Sequence, residues 1–367
     1  MRIVIATGVS GCNRKGFLAA WQKYCKEQDR NVKIFDVGEM MFEHLESIGI
    51  DLNRKNIFQV SPLARQIARS AVLKSVLDEI TYNAGKYDAV VVNIHALFYW
   101  DDVFSEAYDV YLNNFFKKEW DPLLVTFIDD FRPILQRLTS RDQWRGQSLD
   151  ARKVLTWQNL EIVTTSMLAK FAKIKWYPIA TTQLPEDLFY PLVFHPELMP
   201  AYIAMPISHL RHQEARIPVD NFIERLRNLR KFPLFNPLSV EVVGAVHFDK
   251  KESTVEDALI YHHIVNRDLY WFVESSPVII VYWPKIDLPK EVEENPLLLA
   301  HWPESIASPG VDHETHEGYT EGKDILVTFC GLKSSPFLIK FCTELFLNEE
   351  DFFEYVKTHY PDIIGRW

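Results

Sequence analysis

Short apolar segments alternate with longer amphipathic segments along this chain of 367 residues, and this alternation constrains the fold more than any other feature. Residues 2–6, 89–93 and 123–128 have the length and unbroken apolar character of strands buried on both faces. Stretches with helical periodicity, such as residues 62–80, lie between them. Strands joined through helices pair in parallel, with right-handed crossovers. The sequence therefore predicts an α/β protein whose sheets are covered by helices.

A second alternation of the same kind begins after a proline-punctuated stretch, residues 178–200. A chain of this length usually forms two domains, each large enough to bury its own core. We therefore expect a first three-layer domain over residues 1–177, a linker over 178–200, and a second three-layer domain over 201–367. The second domain is predicted to contain a flavodoxin-like or Rossmann-like sheet and to end in one helix over residues 338–357.

Composition excludes several classes of function. The net charge is −10 and no basic tract is present, which argues against a nucleic-acid partner, whereas a small phosphorylated ligand needs only a local cationic pocket. No apolar run reaches the roughly 18 residues of a membrane span, and the chain begins on a predicted strand rather than a signal peptide. The cysteines form no CxxC pair, so neither a disulfide framework nor a zinc site is indicated, and we expect a cytoplasmic protein. They are Cys12, Cys25, Cys330 and Cys342.

A glycine-rich turn, GVSGCNRKG at residues 8–16, follows the first predicted strand and precedes a helix. In this context, backbone N–H groups and the helix N-terminus can hold a phosphate. Gly8, Gly11, Arg14 and Lys15 are therefore candidate nucleotide- or phosphate-binding residues, with ATP as a candidate ligand. A Walker loop would have Gly in place of Asn13, Lys in place of Arg14, and a hydroxyl in place of Lys15. The loop thus lacks the hydroxyl that usually contacts magnesium.

The first 175 residues or so resemble the archaeal-type adenylate kinases and related P-loop nucleoside monophosphate kinases. The resemblance rests on the opening strand and loop, on residues 32–42, and on residues 90–95, where Asn93 stands in place of an acidic residue near the family's metal. It implies a P-loop kinase-like parallel sheet. Four arginines fall where the family keeps phosphate-binding arginines near its lid: Arg137, Arg141, Arg145 and Arg152.

Three interpretations of this half stay open. It could be a retained fold that binds a nucleotide weakly or only packs against its neighbour, because glycine-rich turns are common in α/β proteins. It could be a nucleotide sensor that binds without turnover. It could also be an active P-loop kinase that uses Arg14 and Lys15.

The second half carries a carboxylate between two predicted strands. The apolar run at residues 278–283 leads to Ser308 and Gly310, then to Glu314, and Gly322 precedes the next strand. We expect Glu314 in the first turn of a short helix. Open α/β sheets bind their ligands in the crevice at the strand ends, so Glu314 is predicted to face that crevice.

Residues 200–330 resemble the nucleoside 2-deoxyribosyltransferases and the 2′-deoxynucleoside 5′-phosphate N-hydrolases. Three segments match in order, namely residues 201–211, 265–280 and 308–327. The resemblance implies that Glu314 is the nucleophile, that Tyr202 orients it, and that Asp268 is the acid. It also implies substrate-binding positions at Ser208, Arg211, Asn266, Ser308 and Gly310. Members of this family complete their pockets with a neighbouring subunit, so the resemblance implies a homo-oligomer.

These residue types suit the cleavage of a C1′–N bond. A carboxylate below the sugar can stabilise the oxocarbenium-like transition state or capture C1′, while a second acid protonates the departing base. The sequence therefore predicts N-glycosidic cleavage or (deoxy)ribosyl transfer on a small nucleoside or nucleotide, with no metal and no cofactor required in this half. Glu314 could instead be a surface charge at a helix N-terminus, and Asp268 could simply pair with Arg267. NAD⁺ cleavage and a catalytically inactive binding protein stay open.

Overall fold

Two five-stranded parallel sheets form the framework of the chain. The computed structural model describes residues 1–50, 61–100, 102–144, 146–207, 213–240, 255–285, 294–295, 297, 308–330 and 336–362. The chain divides into a first unit, Met1–Val193 with Thr254–His263, and a second unit, Phe194–Ser253 with Ile264–Trp367. The predicted fold class, α/β with parallel sheets and covering helices, is confirmed.

The sheet of the first unit has its first strand in the middle, in the order β2-β3-β1-β6-β7, and all of its strands are parallel. β1, β3 and β6 are buried along their whole length, as their apolar sequences predict. The elements are β1 (Arg2–Gly8), α1 (Arg14–Glu27), β2 (Val32–Asp36), α2 (Val37–Ser47), α3 (Pro62–Tyr82), β3 (Ala89–Asn93), β4 (Leu97–Trp100), β5 (Val103–Glu106), β6 (Leu123–Ile128), α4 (Phe131–Thr139), α5 (Ala151–Ala172) and β7 (Lys175–Ala180).

The order of strands in this sheet fixes where a ligand can bind. β1 lies between β3 and β6. The chain forms β2 and β3 on one side of β1, then crosses to form β6 and β7 on the other side, so the direction of winding reverses at β1. A crevice opens outside the carboxyl ends of strands at such a switch point. Gly8, Asn93 and Ile128 end these three strands, and the glycine-rich turn therefore begins at the crevice.

The second unit also has a fully parallel sheet, in the order β12-β11-β10-β8-β9. Its core is aromatic, with Phe222 stacked on Tyr282 at a ring distance of 4.0 Å. A π-helix, Arg267–Val273, continues α8. Its elements are β8 (Ala201–Ala204), α7 (Gln213–Leu229), β9 (Leu234–Phe235), β10 (Val278–Trp283), α9 (Pro309–Thr320), β11 (Asp324–Phe329), α10 (Pro336–Phe341), β12 (Glu344–Phe346) and α11 (Glu349–His359). Residues 255–263 of α8 (Val255–Asn266) belong to the first unit, and its last three residues belong to the second.

Three expectations about local structure need correction. The helix predicted over residues 338–357 is two helices, α10 and α11, with β12 between them, because residues 344–346 pair with β11 and Asn348 caps α11. The predicted linker at residues 178–200 includes the end of β7 and a helix, α6 (Phe189–Phe194). Glu314 lies in the second turn of α9, not the first, because Pro309 starts the helix five residues earlier.

None of the described helices is both long enough and apolar enough to cross a lipid bilayer.

Candidate functional site

The turn between β1 and α1 depends on two glycines. Gly8 has φ 144°, and a Cβ placed there would lie 2.6 Å from the carbonyl oxygen of Phe127. Gly11 has φ 85°, and its Cβ would lie 3.1 Å from the carbonyl oxygen of Ile134. Only glycine fits both conformations without displacing β6 or α4. The backbone of the turn is therefore held close to the crevice at the strand ends.

The N-terminus of α1 is left open for an anion. Asn13 stands at the N-cap in the left-handed conformation, φ 62°, and its side chain caps no backbone N–H group. The first turn of α1 contains no acidic residue. In contrast, Asp130 caps α4 and Asp150 caps α5 through side-chain hydrogen bonds. The N–H groups of the first turn of α1 and the positive end of its dipole are thus available to a ligand.

A cavity of about 430 Å³ in the first unit adjoins this turn. Residues from α2, α3, β3, α4 and the 3₁₀ turn Asp142–Trp144 complete its wall. Two kinds of side chain dominate the lining. The cationic ones are Arg14, Lys15, Arg65, Arg69, Arg137 and Arg141, and the aromatic ones include Phe42, Phe98, Trp144 and Trp157.

Arg69 is the most unusual of these cations. Its side chain on α3 is only 5% exposed, and its guanidinium lies 5.4 Å from the ring centroid of Phe98. Within the described ranges, no hydrogen-bond acceptor is found for it. Burial lowers the pKa of Arg69, while the nearby carboxylate of Asp109 acts in the opposite direction. A buried guanidinium without an acceptor is costly, and here it lines a cavity.

Arg14 turns toward the end of β3. Its guanidinium donates to the carbonyl oxygen of Ile94 and lies 2.8 Å from Nε2 of His95. A guanidinium has only donors, so this His95 nitrogen must be an acceptor and the imidazole is neutral. Burial lowers the pKa of His95 well below its usual value, and the charges of Arg14 and Arg69 lower it further.

Glu161 connects the glycine-rich turn to the segment that follows β3. This fully buried carboxylate on α5 accepts hydrogen bonds from the backbone N–H groups of Gly8 at 2.9 Å, Ala96 at 2.8 Å and Leu97 at 2.8 Å. Burial raises the pKa of Glu161, while its hydrogen bonds and the charge of Arg14 oppose that rise. One side chain therefore ties the start of the glycine-rich turn to the segment that carries His95.

The other loop-facing cations are held by acidic groups. Arg137 donates to the carbonyl oxygen of Gly11 at 2.6 Å and to Oδ2 of Asp129 at 2.7 Å. Lys15 lies 3.1 Å from Oδ2 of Asp36 and 2.5 Å from Oε1 of Glu39. Arg141 is exposed at the rim, and Arg145 lies outside the described residues. Of the four residues predicted to bind a nucleotide or phosphate, Gly11, Arg14 and Lys15 line one cavity, whereas Gly8 does not, and neither does Arg152. Their binding role stays a prediction.

The second unit contains a separate buried cluster around Glu314. Tyr202 on β8 donates a hydrogen bond of 2.7 Å to Oε1 of Glu314 on α9, and Glu314 is only 7% exposed. Burial raises the pKa of Tyr202 well above its usual value, and the charges of Glu314 and Asp268 act in the same direction. The three residues with predicted catalytic roles therefore lie close together.

Asp268 in this cluster is paired with its neighbour. Nε of Arg267 lies 2.8 Å from one carboxylate oxygen of Asp268, and its Nη2 lies 3.1 Å from the other. Both side chains are buried. The ion pair that the sequence left open as an alternative is thus present, and the role of Asp268 as an acid stays a prediction.

The predicted substrate-binding residues of this unit differ in exposure, and two of the five lie outside the described residues. Asn266 ends α8 and is half-buried, Ser308 is buried, and Gly310 is exposed at the start of α9. Ser208 and Arg211 lie outside the described residues. The described part of the chain holds no group of three or more His, Cys, Asp or Glu side chains placed to bind a metal ion.

Sequence reasoning missed Arg69, His95 and Glu161. A signal existed for two of them, because Arg69 and Glu161 stand among the apolar positions of amphipathic helices. A charge on the buried face of a helix needs a partner or a function.

No protein-family model matches the sequence, and no curated protein matches it. Solved structures to which the chain is similar include a gluconokinase from Sinorhizobium meliloti 1021, with 14% identity over 50% of this chain and 83% of that one, at a TM-score of 0.27. A sugar kinase from Janibacter sp. HTCC2649 shows 16% identity over 53% and 92%, at a TM-score of 0.30. Shikimate kinase from Bacteroides thetaiotaomicron shows 12% identity over 49% and 86%, at a TM-score of 0.29. None of these three is a deoxyribosyltransferase, and similarity at this level assigns no activity.

Proposed function

We propose that the first unit binds a nucleotide through its phosphate groups. The observation that carries this proposal is the buried guanidinium of Arg69, which has no acceptor among the described residues and lines a cavity opposite the glycine-rich turn. An anionic oxygen from a ligand would supply the missing partner. Charge-assisted hydrogen bonds of this kind are the strongest that a side chain makes.

The charge of the cavity wall supports an anionic ligand. Six Lys and Arg side chains line it, against two acidic ones, Asp36 and Glu39. The uncapped N-terminus of α1 adds N–H donors and a partial positive charge beside them. The chain as a whole has a net charge of −10, yet the wall of this cavity is cationic. Such a local positive potential attracts small anions.

The size and the aromatic lining favour a nucleotide over a free phosphate ion. A cavity of about 430 Å³ lies within the usual range for small-molecule sites, about 300–1,000 Å³. Phe98 and Trp157 lie in the wall with the cations, and aromatic faces stack on bases. A phosphate ion alone would leave this apolar surface uncovered.

Calorimetric titration of the whole protein with ATP, AMP and inorganic phosphate tests this proposal. We expect the nucleotides to bind more tightly than phosphate, and Arg69→Met to weaken nucleotide binding by roughly 10- to 100-fold, since a charge-assisted hydrogen bond contributes about 1.5–3 kcal/mol. Lys74→Met is the matched control, because Lys74 lies on the same helix but is exposed and paired with Asp78. Equal binding by the Arg69 variant and wild type would contradict the proposal.

A second candidate function belongs to the second unit, and the hydrogen bond from Tyr202 to Glu314 favours it. We propose N-glycosidic cleavage or (deoxy)ribosyl transfer there. The Glu314 carboxylate would attack C1′, the C1′–N bond would break with its electron pair passing to the base, and a protonated group would supply the base with a proton. Water or a second base would then release the sugar from Glu314.

Incubation with deoxynucleosides, their monophosphates and NAD⁺, followed by chromatography for free base, tests this second candidate. Glu314→Gln is expected to lower base release by at least about 10³-fold, because it removes the nucleophile. Glu317→Gln, one helical turn away on α9, should keep the wild-type rate. Equal release by Glu314→Gln and wild type, or no release by wild type, would remove the candidate.

A further inference from the structure

The acidic groups beside the glycine-rich turn are already occupied by protein donors. Oδ2 of Asp36 lies 3.1 Å from the Lys15 ammonium and accepts a hydrogen bond from Nδ2 of Asn93 at 3.3 Å. Oδ1 of Asp36 accepts the backbone N–H of Glu39 at 3.2 Å. Oε1 of Glu39 is 2.5 Å from the same ammonium. Lys15 is thus held between two carboxylates at the edge of the cavity.

This arrangement does not fit a divalent cation. Magnesium requires oxygen ligands in a nearly octahedral shell, usually including carboxylates. The residue after Arg14 offers an ammonium instead of a hydroxyl, and β3 ends in the amide of Asn93 instead of a carboxylate. An ammonium cannot coordinate a metal, and its charge repels one. The two carboxylates that line the cavity are therefore engaged with a cation that belongs to the chain.

We propose that this cavity binds its phosphorylated ligand free of any divalent cation, with the Lys15 ammonium supplying the positive charge that a metal would otherwise bring. This inference rests on the proposed nucleotide binding. The wall carries six cationic and two acidic side chains, and one of the cations, Arg137, is also paired with Asp129. Free ATP carries about four negative charges at neutral pH, and complexation with magnesium removes two of them, so this cationic wall attracts the metal-free form more strongly.

Titration of the whole protein with ATP in EDTA and in excess Mg²⁺ separates the two forms of the ligand. We expect binding in EDTA to be roughly tenfold tighter, because free ATP retains the charge that the wall neutralises. Equal or tighter binding in Mg²⁺ would overturn the inference while leaving the proposed nucleotide site intact. Absence of binding under both conditions would defeat the proposed function, and this inference with it.

A matched pair of variants tests the role of Lys15 itself. Lys15→Ser restores a hydroxyl and releases Asp36 and Glu39, so binding in EDTA should weaken by roughly tenfold and binding in Mg²⁺ should become the tighter of the two. Lys23→Ser changes an exposed lysine further along α1 that pairs with Glu27 and lies outside the cavity lining, and it should retain the wild-type preference. If Lys15→Ser also retains that preference, the ammonium does not replace a metal.

Discussion

At the scale of single residues, Arg69 illustrates how a side chain proposed to bind a ligand can lower the stability of the ligand-free protein. Its guanidinium is buried, and it lacks a hydrogen-bond acceptor among the described residues. An unsatisfied buried polar group usually destabilises a fold by about 1–3 kcal/mol, and a charged one by more. The attraction of Asp109 offsets only part of this cost, because both oxygens of that carboxylate accept hydrogen bonds from other groups.

We therefore predict that Arg69→Met stabilises the ligand-free protein. The methionine side chain fills the same space without a charge, so the free energy of unfolding should rise by about 1 kcal/mol. Urea denaturation monitored by circular dichroism measures this, with Lys74→Met as the control that should stay within about 0.5 kcal/mol of wild type. A clear loss of stability in the Arg69 variant would mean that the guanidinium has a structural partner.

A second prediction at this scale concerns pH. Because the pKa of His95 in the folded protein lies well below its usual value of 6.5, the unfolded chain binds a proton that the folded chain does not. The contribution of His95 to the free energy of unfolding should thus be constant at pH values above its unfolded-state pKa. At lower pH it should decrease, by up to about 1.4 kcal/mol per pH unit for one proton. His95→Gln should remove this part of the slope between pH 6.5 and 5, which urea titrations at several pH values would show. His262→Gln, which replaces an exposed histidine, should leave the slope unchanged.

At the scale of secondary-structure elements, α5 positions two other segments through Glu161. The carboxylate accepts N–H groups from both the turn after β1 and the segment after β3. We predict that Glu161→Gln destabilises the protein by about 1–3 kcal/mol, because the amide NH₂ would face a backbone donor. The substitution should also weaken the proposed nucleotide binding, because the turn would lose the hydrogen bond from Gly8 to the carboxylate. Thermal denaturation and calorimetric titration of one preparation test both effects, and unchanged values would exclude the positioning role.

The elements also show what the sequence could and could not predict. The strand, glycine-rich turn and helix at residues 2–27 were predictable, because apolar run, glycine positions and helical periodicity are local signals. β12 was not predictable from local signals, because its three residues continue an apolar pattern that suits a helix. Only their pairing with β11 makes them a strand. The partners of Lys15 and Glu161 were also beyond prediction, since they come from 21 to 153 residues away in the chain.

At the scale of the whole molecule, each unit has its own parallel sheet and its own hydrophobic core. Chains with several cores often unfold in more than one step. We predict two calorimetric transitions, of which ATP at about 100 times its Kd raises only one, by about 5–10 °C. At the same ATP concentration, Arg69→Met should reduce this shift to about 1–5 °C, because its weaker binding leaves only part of the stabilisation, and Glu314→Gln should leave the shift unchanged. A single transition would show that the two units unfold as one, and a shift of both transitions by ATP would contradict binding to the first unit alone.

Cys12 lies inside the glycine-rich turn, and its thiol is only 1% exposed. Burial raises the pKa of this thiol to about 11, so almost none of it is present as the reactive thiolate at neutral pH. Cys25 is buried as well. Burial also raises the pKa of Cys330 to about 11, so the difference lies in access, because Cys330 and Cys342 are partly exposed to a reagent. Fluorescent or cross-linking maleimides should therefore attach to the second unit of the native protein first, and leave the glycine-rich turn of the first unit unmodified.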